Sequence, residues 1–326
     1  MKLILTGAVS FLITLAVGRF LIPALRALKA GQSIREVGPS WHNSKAGTPT
    51  MGGLMFILAA LICVLVAGWS AMMGGTYEHL MVLGFAMVFG AVGFLDDFFK
   101  VKFKRNLGLT ALQKLILQLA VALGYLALLR WNGNLTNEVY IPFVNVNWTI
   151  PWVVYLVFAT LVIVGCVNAV NLTDGVDGLA AGVTLPVVVF FAVTAYGWGS
   201  ETLGLFPAAL VGGMAGFLCY NFHPAKVFMG DTGSLFLGGA VCGMAFALDM
   251  PVILILVGLV YIVEAVSVMM QVTYFKLTHG KRIFRMTPIH HHFEMGGWSE
   301  VKIFAVFVGV TILMCVLAWV GIMNRF

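Results

Sequence analysis

Carboxylate side chains occur in this sequence in three short polar stretches that interrupt long apolar runs. The stretches are LDD at 95–97, NLTDGVDG at 171–178 and MGDTGS at 229–234. A carboxylate beside a membrane-length apolar run is costly, and such a residue usually has a function. Carboxylates suit Mg²⁺, which prefers oxygen ligands, and glycine-rich turns expose backbone N–H groups that hold anions. These residue types therefore indicate phosphate chemistry with a hard cation.

Basic side chains occur in two further polar stretches, KAGTPTMGG at 45–53 and TPIHHHFE at 287–294. Lysine and histidine side chains can neutralise the charge of a phosphate. The sequence contains neither a Walker A motif nor a GxGxxG turn that opens a βα unit. A nucleoside triphosphatase of those classes is therefore not indicated.

Membrane helices must position these stretches. Of the 326 residues, 61% are hydrophobic and 10% are charged, and the mean hydropathy is +1.00. A backbone that spans a bilayer must satisfy its own hydrogen bonds, so we predict an all-α integral membrane protein with a single polytopic domain over 1–326. Most of the apolar runs are close to the ~20 residues that cross a bilayer. Ten transmembrane helices are predicted, at 3–25, 51–69, 79–95, 110–129, 151–168, 178–196, 204–220, 235–249, 251–275 and 302–323.

The distribution of basic residues predicts the orientation of the bundle. Ten spans put both termini on one side, and the loops after the odd-numbered spans on the other. All but three of the 19 Lys and Arg residues lie in or beside those loops, the exceptions being Lys2, Arg130 and Arg325. The positive-inside rule then places these loops in the cytoplasm and both termini outside. All five polar stretches fall on the predicted cytoplasmic side, which indicates one site facing the cytoplasm.

The net charge and the longest outer loop were also considered. The net charge of +6 follows from the loop bias, and no nucleic-acid partner is predicted. The longest outer loop, at 130–150, contains EVYIPFVNVNWTI, in which β-branched and aromatic residues partly alternate. This pattern predicts a short outer β-hairpin at about 137–150.

Each polar stretch also has a purely structural explanation when it is considered alone. Asp96 and Asp97 could form a solvated helix end, and Asp174 or Asp177 could cap a helix that starts near Gly178. The GDTGS stretch could be a turn followed by a helix cap, and the three histidines could lie in a solvated loop or bind metal adventitiously. The occurrence of all five stretches on one side favours a shared functional site.

Together the stretches TPTMGG, LDD, NAVNLTDGVDGLA, NFHPAKVFMGDTGS and TPIHHHFE resemble the motif set of the phospho-N-acetylmuramoyl-pentapeptide-transferases. This family is a branch of the polyprenyl-phosphate N-acetylhexosamine-1-phosphate transferases. The aspartate-rich loops are shared across the superfamily, and PIHHHFE points to the muramoyl-pentapeptide branch. The resemblance covers essentially the whole chain.

The resemblance implies a reaction, its partners and its location. Phospho-MurNAc-pentapeptide would pass from UDP-MurNAc-pentapeptide to undecaprenyl phosphate, giving lipid I and UMP in the first membrane step of peptidoglycan synthesis. It further implies dependence on Mg²⁺, a homodimer, and a multi-pass protein of the bacterial cytoplasmic membrane with its active site facing the cytoplasm.

The resemblance also assigns roles to residues of this chain. It implies metal binding by Asp231 and Asp97, and positioning or deprotonation of the lipid phosphate by Asp96. His290 would be a further catalytic residue that contacts a phosphate oxygen. The implied substrate-binding residues are Lys45, Thr50, Lys114, Asn168, Asn171, Asp174, Asp177, Asn221, His291 and His292, with Asn171 and Asp177 toward the nucleotide.

Two other functions are also considered. Within the same superfamily, the protein could transfer GlcNAc-1-phosphate to a polyprenyl phosphate. From another class, it could be an ion-coupled transporter, for which Glu264 inside the ninth run is the fitting residue. The other carboxylates cluster at one end of the spans instead of at mid-membrane, which argues against a transporter.

Overall fold

The computed structural model describes residues 1–28, 47–103 and 107–325. Lys45 lies outside the described residues. The helices and strands are α1 (Lys2–Ala27), α2 (Leu54–Met73), α3 (Glu78–Phe103), α4 (Ala111–Trp131), β1 (Glu138–Ile141), β2 (Val146–Thr149), α5 (Trp152–Thr173), α6 (Leu179–Gly197), α7 (Glu201–Asn221), α8 (Gly230–Ala247), α9 (Leu254–Val257), α10 (Leu259–Leu277), α11 (Ile289–Glu294) and α12 (Glu300–Ile322). Short 3₁₀ turns at Pro251–Ile253 and Met323–Arg325 extend α9 and α12.

Within the described residues, nine helices are long and apolar enough to cross a membrane, namely α1 to α7, α10 and α12. This confirms an all-α integral membrane protein. The remaining predicted span, the eighth, corresponds to α8, which has 18 residues and begins with the polar sequence GDTGS. Its first turn carries Asp231, which meets Lys114, whereas Asp249 just beyond its end bonds Thr136 at the opposite end of the bundle. Because its two ends reach opposite ends of the bundle, we count α8 as the tenth span.

Helix α8 lies at the centre of the bundle. Every residue from Thr232 to Phe246 is buried, and its largest contacts are with α3 and α5. Close approach of α3 requires glycine, since a Cβ at Gly93 would overlap the backbone carbonyl of Asp231. Small residues at contacts between membrane helices allow such packing.

The structure corrects the predicted course of the eighth and ninth runs. Helix α8 begins at Gly230, five residues before the predicted start at 235, so GDTGS is its first turn instead of a loop before it. The run predicted at 251–275 is divided into the 3₁₀ turn, α9 and α10, with a break at Gly258. A turn at Gly258 interrupts the helical hydrogen bonds, and this could not be read from an uninterrupted apolar run.

The two ends of the bundle differ in character. We call the end that carries Asp96, Asp231 and Asp177 the motif face, and the end that carries Asp249 and Arg325 the opposite face. The three basic exceptions lie at or beside the opposite face: Arg130 at the end of α4 stacks on Trp152, Arg325 lies over Tyr140, and Lys2 starts α1.

The predicted hairpin is confirmed at the opposite face. Strands β1 and β2 pair antiparallel, with Glu138 opposite Thr149 and Ile141 opposite Val146. The turn between the strands packs on the end of α12, where the backbone N–H of Phe143 donates to the carbonyl of Gly321 at 2.9 Å. The hairpin therefore covers the end of the bundle that is farthest from the aspartate motifs.

Candidate active site

Three aspartates meet at the motif face where α3 and α8 cross. The carboxylate oxygens of Asp96, Asp97 and Asp231 all lie within 4.8 Å of one another. Asp96 and Asp97 are buried near the end of α3, and Asp231 belongs to the first turn of α8. The close contact of α3 with α8 at Gly93 brings residues together that are more than a hundred positions apart in the sequence.

Two lysines lie between these carboxylates. The Nζ atom of Lys100 is 2.6 Å from Oδ2 of Asp96 and 2.9 Å from Oδ2 of Asp231. The Nζ atom of Lys114 is 3.2 Å from Oδ2 of Asp96 and 2.7 Å from Oδ2 of Asp231. Both side chains remain partly exposed, so each ammonium group can turn toward an anion that arrives from solvent. We call Asp96, Asp97, Asp231, Lys100 and Lys114 the carboxylate–lysine cluster.

Hydrogen bonds hold each carboxylate in place before any substrate arrives. Asp97 Oδ2 accepts from the backbone N–H of Thr232 at 2.9 Å and from its hydroxyl at 2.7 Å. Asp231 Oδ1 accepts from the Asn171 side chain at 2.9 Å, and Asn171 also donates to Ser234. Residues from α3, α5 and α8 therefore fix the cluster together.

The stretch at 45–53 contributes its described part to the same place. Backbone hydrogen bonds join Gly52 N–H to the carbonyl of Phe228 at 2.8 Å and Gly53 N–H to that of Met229 at 3.1 Å. Gly230 follows with φ of +71°, and a Cβ there would lie 2.5 Å from Asp97 Oδ2 and 2.7 Å from Thr50 Oγ1. Glycine is required here, and Thr50 is thereby held beside the cluster.

The start of α4 positions Lys114. Thr110 caps this helix through a capping box, in which Thr110 Oγ1 accepts from the backbone of Gln113 and the Gln113 side chain accepts from Thr110 N–H. The preceding residue, Leu109, donates its N–H to Asp96 Oδ1 at 2.7 Å. Lys114 then follows one turn into a helix whose start is bonded to the cluster.

A second group of ligating side chains joins three separate loops. Asp177, His223 and Glu300 offer atoms within 4.8 Å of one another. Asp177 Oδ2 lies 2.9 Å from His223 Nδ1 and accepts from the backbone N–H of Ala225 at 3.0 Å. Glu300 Oε2 accepts from the backbone N–H of Asp177 at 3.0 Å. Asp177 is therefore part of a network instead of a helix cap, and the cap of α6 is Gly178, which makes no side-chain bond.

The histidine stretch forms the short helix α11. His290 is fully buried, with Nδ1 3.1 Å from Glu264 Oε2. His291 Nδ1 bonds Glu294, and His292 Nδ1 accepts from the backbone N–H of Arg285 at 3.1 Å. The three histidines thus have three different environments, and His290 is the one that enters the core.

One segment links all of these groups. Residues 171–178, here called the central segment, contribute Asn171 to the carboxylate–lysine cluster and Asp177 to the second group. Between them, Gly175 lies against the ring of His290, because a Cβ at Gly175 would overlap His290 Nε2. The carboxylate–lysine cluster, the group around Asp177 and the ring of His290 therefore meet along a single segment.

Asp174 lies in the central segment and is half-buried. Burial, followed by the negative charges of Asp231, Asp97 and Asp177, raises the pKa of the Asp174 carboxyl from 3.8 to about 8. An aspartate with such a pKa is largely protonated at neutral pH and can donate a hydrogen bond. The shift also shows that negative charge is concentrated here, which favours the arrival of a cation.

Two predicted substrate-binding residues are bonded within the protein. Asn168 donates to Gln118 Oε1 at 2.7 Å and to the carbonyl of Val164. Asn221 is buried and donates to the carbonyl of Val227 at 2.9 Å, inside the loop that leads to α8. Both lie on elements of the motif face, with their amide groups engaged by the protein.

The structure adds residues that the sequence analysis did not single out, chiefly Lys100, His223 and Glu300. A signal for Lys100 was present, because it follows Asp96 by four residues on one helix, and residues at that spacing share a face. His223 and Glu300 have no local signal. Their partner Asp177 is distant in sequence, and only the packing of α7 and α12 beside the central segment brings them to it.

The donor set at the cluster suits a hard divalent cation. Three carboxylates within 4.8 Å of one another provide only oxygen ligands. Mg²⁺ prefers such ligands, commonly uses one or two carboxylates, and keeps waters for substrate phosphates. The residues present are therefore compatible with a bound cation of this class.

The fold and this site define a membrane-embedded transferase whose carboxylate-rich site suits the transfer of a phosphate group. Comparison with known proteins supports this class. A family model described as glycosyl transferase family 4 matches residues 79–249. A signature described as phospho-N-acetylmuramoyl-pentapeptide-transferase signature 1 matches residues 45–57.

Relatives that align with nearly the whole chain identify the family within this class. Proteins named phospho-N-acetylmuramoyl-pentapeptide-transferase from Clostridium acetobutylicum and from a Thermoanaerobacter species are 45% and 48% identical to this chain. The first alignment covers 96% of this chain and 97% of the relative, and the second covers 98% of each. A relative of the same name from Caldicellulosiruptor bescii is 46% identical over 319 residues. This chain belongs to the phospho-N-acetylmuramoyl-pentapeptide-transferase family.

Proposed function

We propose that this protein transfers phospho-MurNAc-pentapeptide from UDP-MurNAc-pentapeptide to undecaprenyl phosphate, giving lipid I and UMP. The observation that carries the proposal is the carboxylate–lysine cluster at one end of an apolar bundle. A lipid phosphate can reach such a site from the bilayer, and a nucleotide can reach it from water. Family membership supports the identity of both substrates.

The reaction joins two polyanions, so charge neutralisation is the main requirement. An oxygen of undecaprenyl phosphate attacks the β-phosphorus of the donor, the bond between the α- and β-phosphates breaks, and UMP leaves. Lys100 and Lys114 turn from the carboxylates toward the phosphate oxygens as charge develops. Asp96 orients the attacking phosphate, and little proton removal is needed because the second pKa of a phosphate monoester is about 6.

Mg²⁺ is the cation proposed for the cluster, with Asp231 and Asp97 as its ligands. When bound, it supplies positive charge to the phosphate oxygens and fixes their orientation. Asp97 is held for this role by two hydrogen bonds from Thr232, and Asp231 by Asn171. These bonds keep the carboxylates oriented without help from substrate.

The donor is proposed to bind along the central segment. Asn171, Asp174 and Asp177 contact its nucleotide and pyrophosphate portions, with Asn168 and Asn221 shaping the adjoining loops. Thr50 approaches from the other side, Lys45 is assigned to phosphate binding by the family motif alone, and His290, His291 and His292 contact phosphate oxygens. These assignments rest on the family motifs and on the convergence of the described residues at the central segment.

The acceptor chain is proposed to lie along α10. An open apolar groove of about 420 Å³ lies beside this helix and is lined by Met269, Met270, Leu277 and neighbouring residues. Its apolar lining is suited to a hydrocarbon chain whose phosphate extends toward the site.

The protein is proposed to work as a homodimer in the bacterial cytoplasmic membrane, with the motif face toward the cytoplasm. The bias of lysine and arginine toward the motif face supports this orientation. UDP-sugars are cytoplasmic metabolites, so an active site on this side has direct access to its donor.

The test is reconstitution of the purified full chain in detergent with undecaprenyl phosphate, UDP-MurNAc-pentapeptide and Mg²⁺. We expect release of UMP together with a lipid-linked pyrophosphate product. A chelator should abolish turnover, Mg²⁺ or Mn²⁺ should restore it, and Ca²⁺ should restore little because of its looser coordination geometry. Product formation from UDP-GlcNAc in preference to the muramoyl donor would instead support the GlcNAc-1-phosphate reaction.

No observation favours an ion-coupled transporter. Glu264, the residue that suited that reading, is paired with His290 in the described structure. Flux across sealed vesicles without a lipid-linked product would contradict the transferase proposal.

A further inference from the structure

Glu264 and His290 form a pair that the reaction described above does not explain. Glu264 lies on α10 and His290 on α11, and neither side chain has any exposed surface. Glu264 Oε2 lies 3.1 Å from His290 Nδ1 and accepts from the backbone N–H of His290 at 3.4 Å. One carboxylate oxygen therefore holds both the ring and the backbone of a single residue.

The pairing determines which nitrogen of His290 faces the site. Glu264 Oε2 accepts from the backbone N–H of His290, and for the same oxygen to accept from the ring as well, Nδ1 must carry a proton. The other nitrogen, Nε2, has no protein partner among the described residues and lies against Gly175 of the central segment. The ring is thus anchored at one nitrogen and presents the other toward the loop between Asp174 and Asp177.

Stability alone gives a poor account of this arrangement. Taking a carboxylate out of water costs several kcal/mol. Well-packed apolar residues at the same two positions are often as stable as a buried ionic pair, or more so. The second oxygen of Glu264, Oε1, also has no hydrogen-bond partner within the described chain. A costly pair with an unpartnered atom at each end is characteristic of a site that acts on a substrate.

We propose that Glu264 is a positioning residue for the transfer reaction, which fixes the tautomer and orientation of His290 so that Nε2 faces the central segment, along which the donor is proposed to bind. The inference rests on the proposed function, in which His290 contacts a phosphate oxygen. The two residues have different proposed roles, because His290 contacts the substrate and Glu264 acts only through His290. The same carboxylate that suggested a transporter in the sequence therefore serves the transfer site.

The first experiment compares Glu264→Gln with Ser267→Ala in the purified full chain. Glutamine keeps the size of the side chain but can turn its NH₂ group toward Nδ1, which favours the wrong tautomer. We expect kcat to fall by about 10- to 100-fold, by analogy with the loss of groups that orient metal-binding histidines, with little change in KM for either substrate. Ser267 is buried one turn away and bonds only the carbonyl of Glu264, so Ser267→Ala should retain turnover.

The second experiment is a double-mutant cycle with His290→Asn. If Glu264 acts only through His290, then Glu264→Gln should cause no further loss of kcat once His290 has been replaced. Independent losses that multiply in the double variant would overturn the proposal. The double variant removes both partners of the Glu264–His290 hydrogen bond. The deciding comparison is His290→Asn with and without Glu264→Gln, and it does not depend on how well Glu264→Gln folds alone.

A third variant tests the position of His290 Nε2 by a change at Gly175. Gly175→Ala places a methyl group where Nε2 now lies, so it should displace the ring and lower kcat in wild type but not in His290→Asn. An equal loss in both backgrounds would contradict the assigned position of Nε2. Wild-type release of UMP is measured in the same series: its absence would overturn the proposed function, whereas normal wild-type turnover with multiplying losses would overturn this inference alone.

Discussion

At the scale of single residues, the carboxylate–lysine cluster is organised before substrate arrives. Asp97 accepts two hydrogen bonds from Thr232, and Asp231 accepts from Asn171 and from both lysines. Groups that are already oriented need little reorganisation when charge develops in the transition state. The three carboxylates exceed the two lysines in charge, so a divalent cation would reverse the sign of the cluster before two anionic substrates meet there.

The first prediction concerns Asp231. Replacing it with asparagine keeps its shape but removes the charge that faces Lys100, Lys114 and the proposed cation. Asp231→Asn should lower kcat on the order of 10²- to 10³-fold, as loss of one electrostatic group of an active site does. Asp249→Asn at the opposite face is the matched control and should retain turnover. Wild-type turnover in Asp231→Asn, measured as UMP release, would remove Asp231 from the site.

The second prediction concerns Lys100, which only the structure identified. Lys100→Met should lower kcat by roughly 10²-fold or more, because it removes one of the two ammonium groups that face the phosphates. Lys102→Met is the control, since Lys102 lies over the rings of Phe98 and Phe103 at the end of the same helix. A surface charge acts weakly and is screened by salt. Equal, salt-sensitive losses at both positions would argue against a role for Lys100 at the reacting phosphates.

At the scale of elements, the crossing of α3 and α8 determines whether the three aspartates meet. The third prediction is that Gly93→Ala lowers both the melting temperature in detergent and the turnover. The added Cβ would overlap the carbonyl of Asp231 and push α8 away from α3. Gly84→Ala, also in α3, meets no atom within 4 Å. This variant should be neutral or slightly stabilising, because alanine is the better helix former by about 1 kcal/mol. Similar melting temperatures for the two variants would contradict this account of the crossing.

At the scale of the whole molecule, the ten spanning helices run between the motif face, which carries the polar stretches, and the opposite face, which carries none of them. The fourth prediction is that a membrane-impermeant thiol reagent applied to intact spheroplasts labels Asn134→Cys but not Lys281→Cys, in a background without the native cysteines. Lysis should expose Lys281→Cys to the reagent. The expectation follows from the bias of basic residues toward the motif face. Labelling of both positions from one side would contradict the ten-span orientation.

Much of this architecture could be predicted from the sequence. Apolar runs define membrane helices because a bilayer imposes length and hydrogen-bonding requirements that act locally. The hairpin at 137–150 was predicted from local alternation, and strands at 138–141 and 146–149 confirm it. The division of the ninth run at Gly258 and the early start of α8 at Gly230 could not be predicted, because packing around the central helix decides them.

The sequence by itself determined the class of protein, the spans, and the set of polar stretches that belong together. Composition and loop charge act through the membrane, and the motifs are contiguous, so neither depends on knowing which helices touch. Only the tertiary structure decided how the members of that set pair: Lys100 between Asp96 and Asp231, His223 with Asp177, and Glu264 with His290. Pairing across helices depends on close approach at small residues and on the path of the central segment. These are properties of side-chain packing in three dimensions, and no single stretch of sequence contains them.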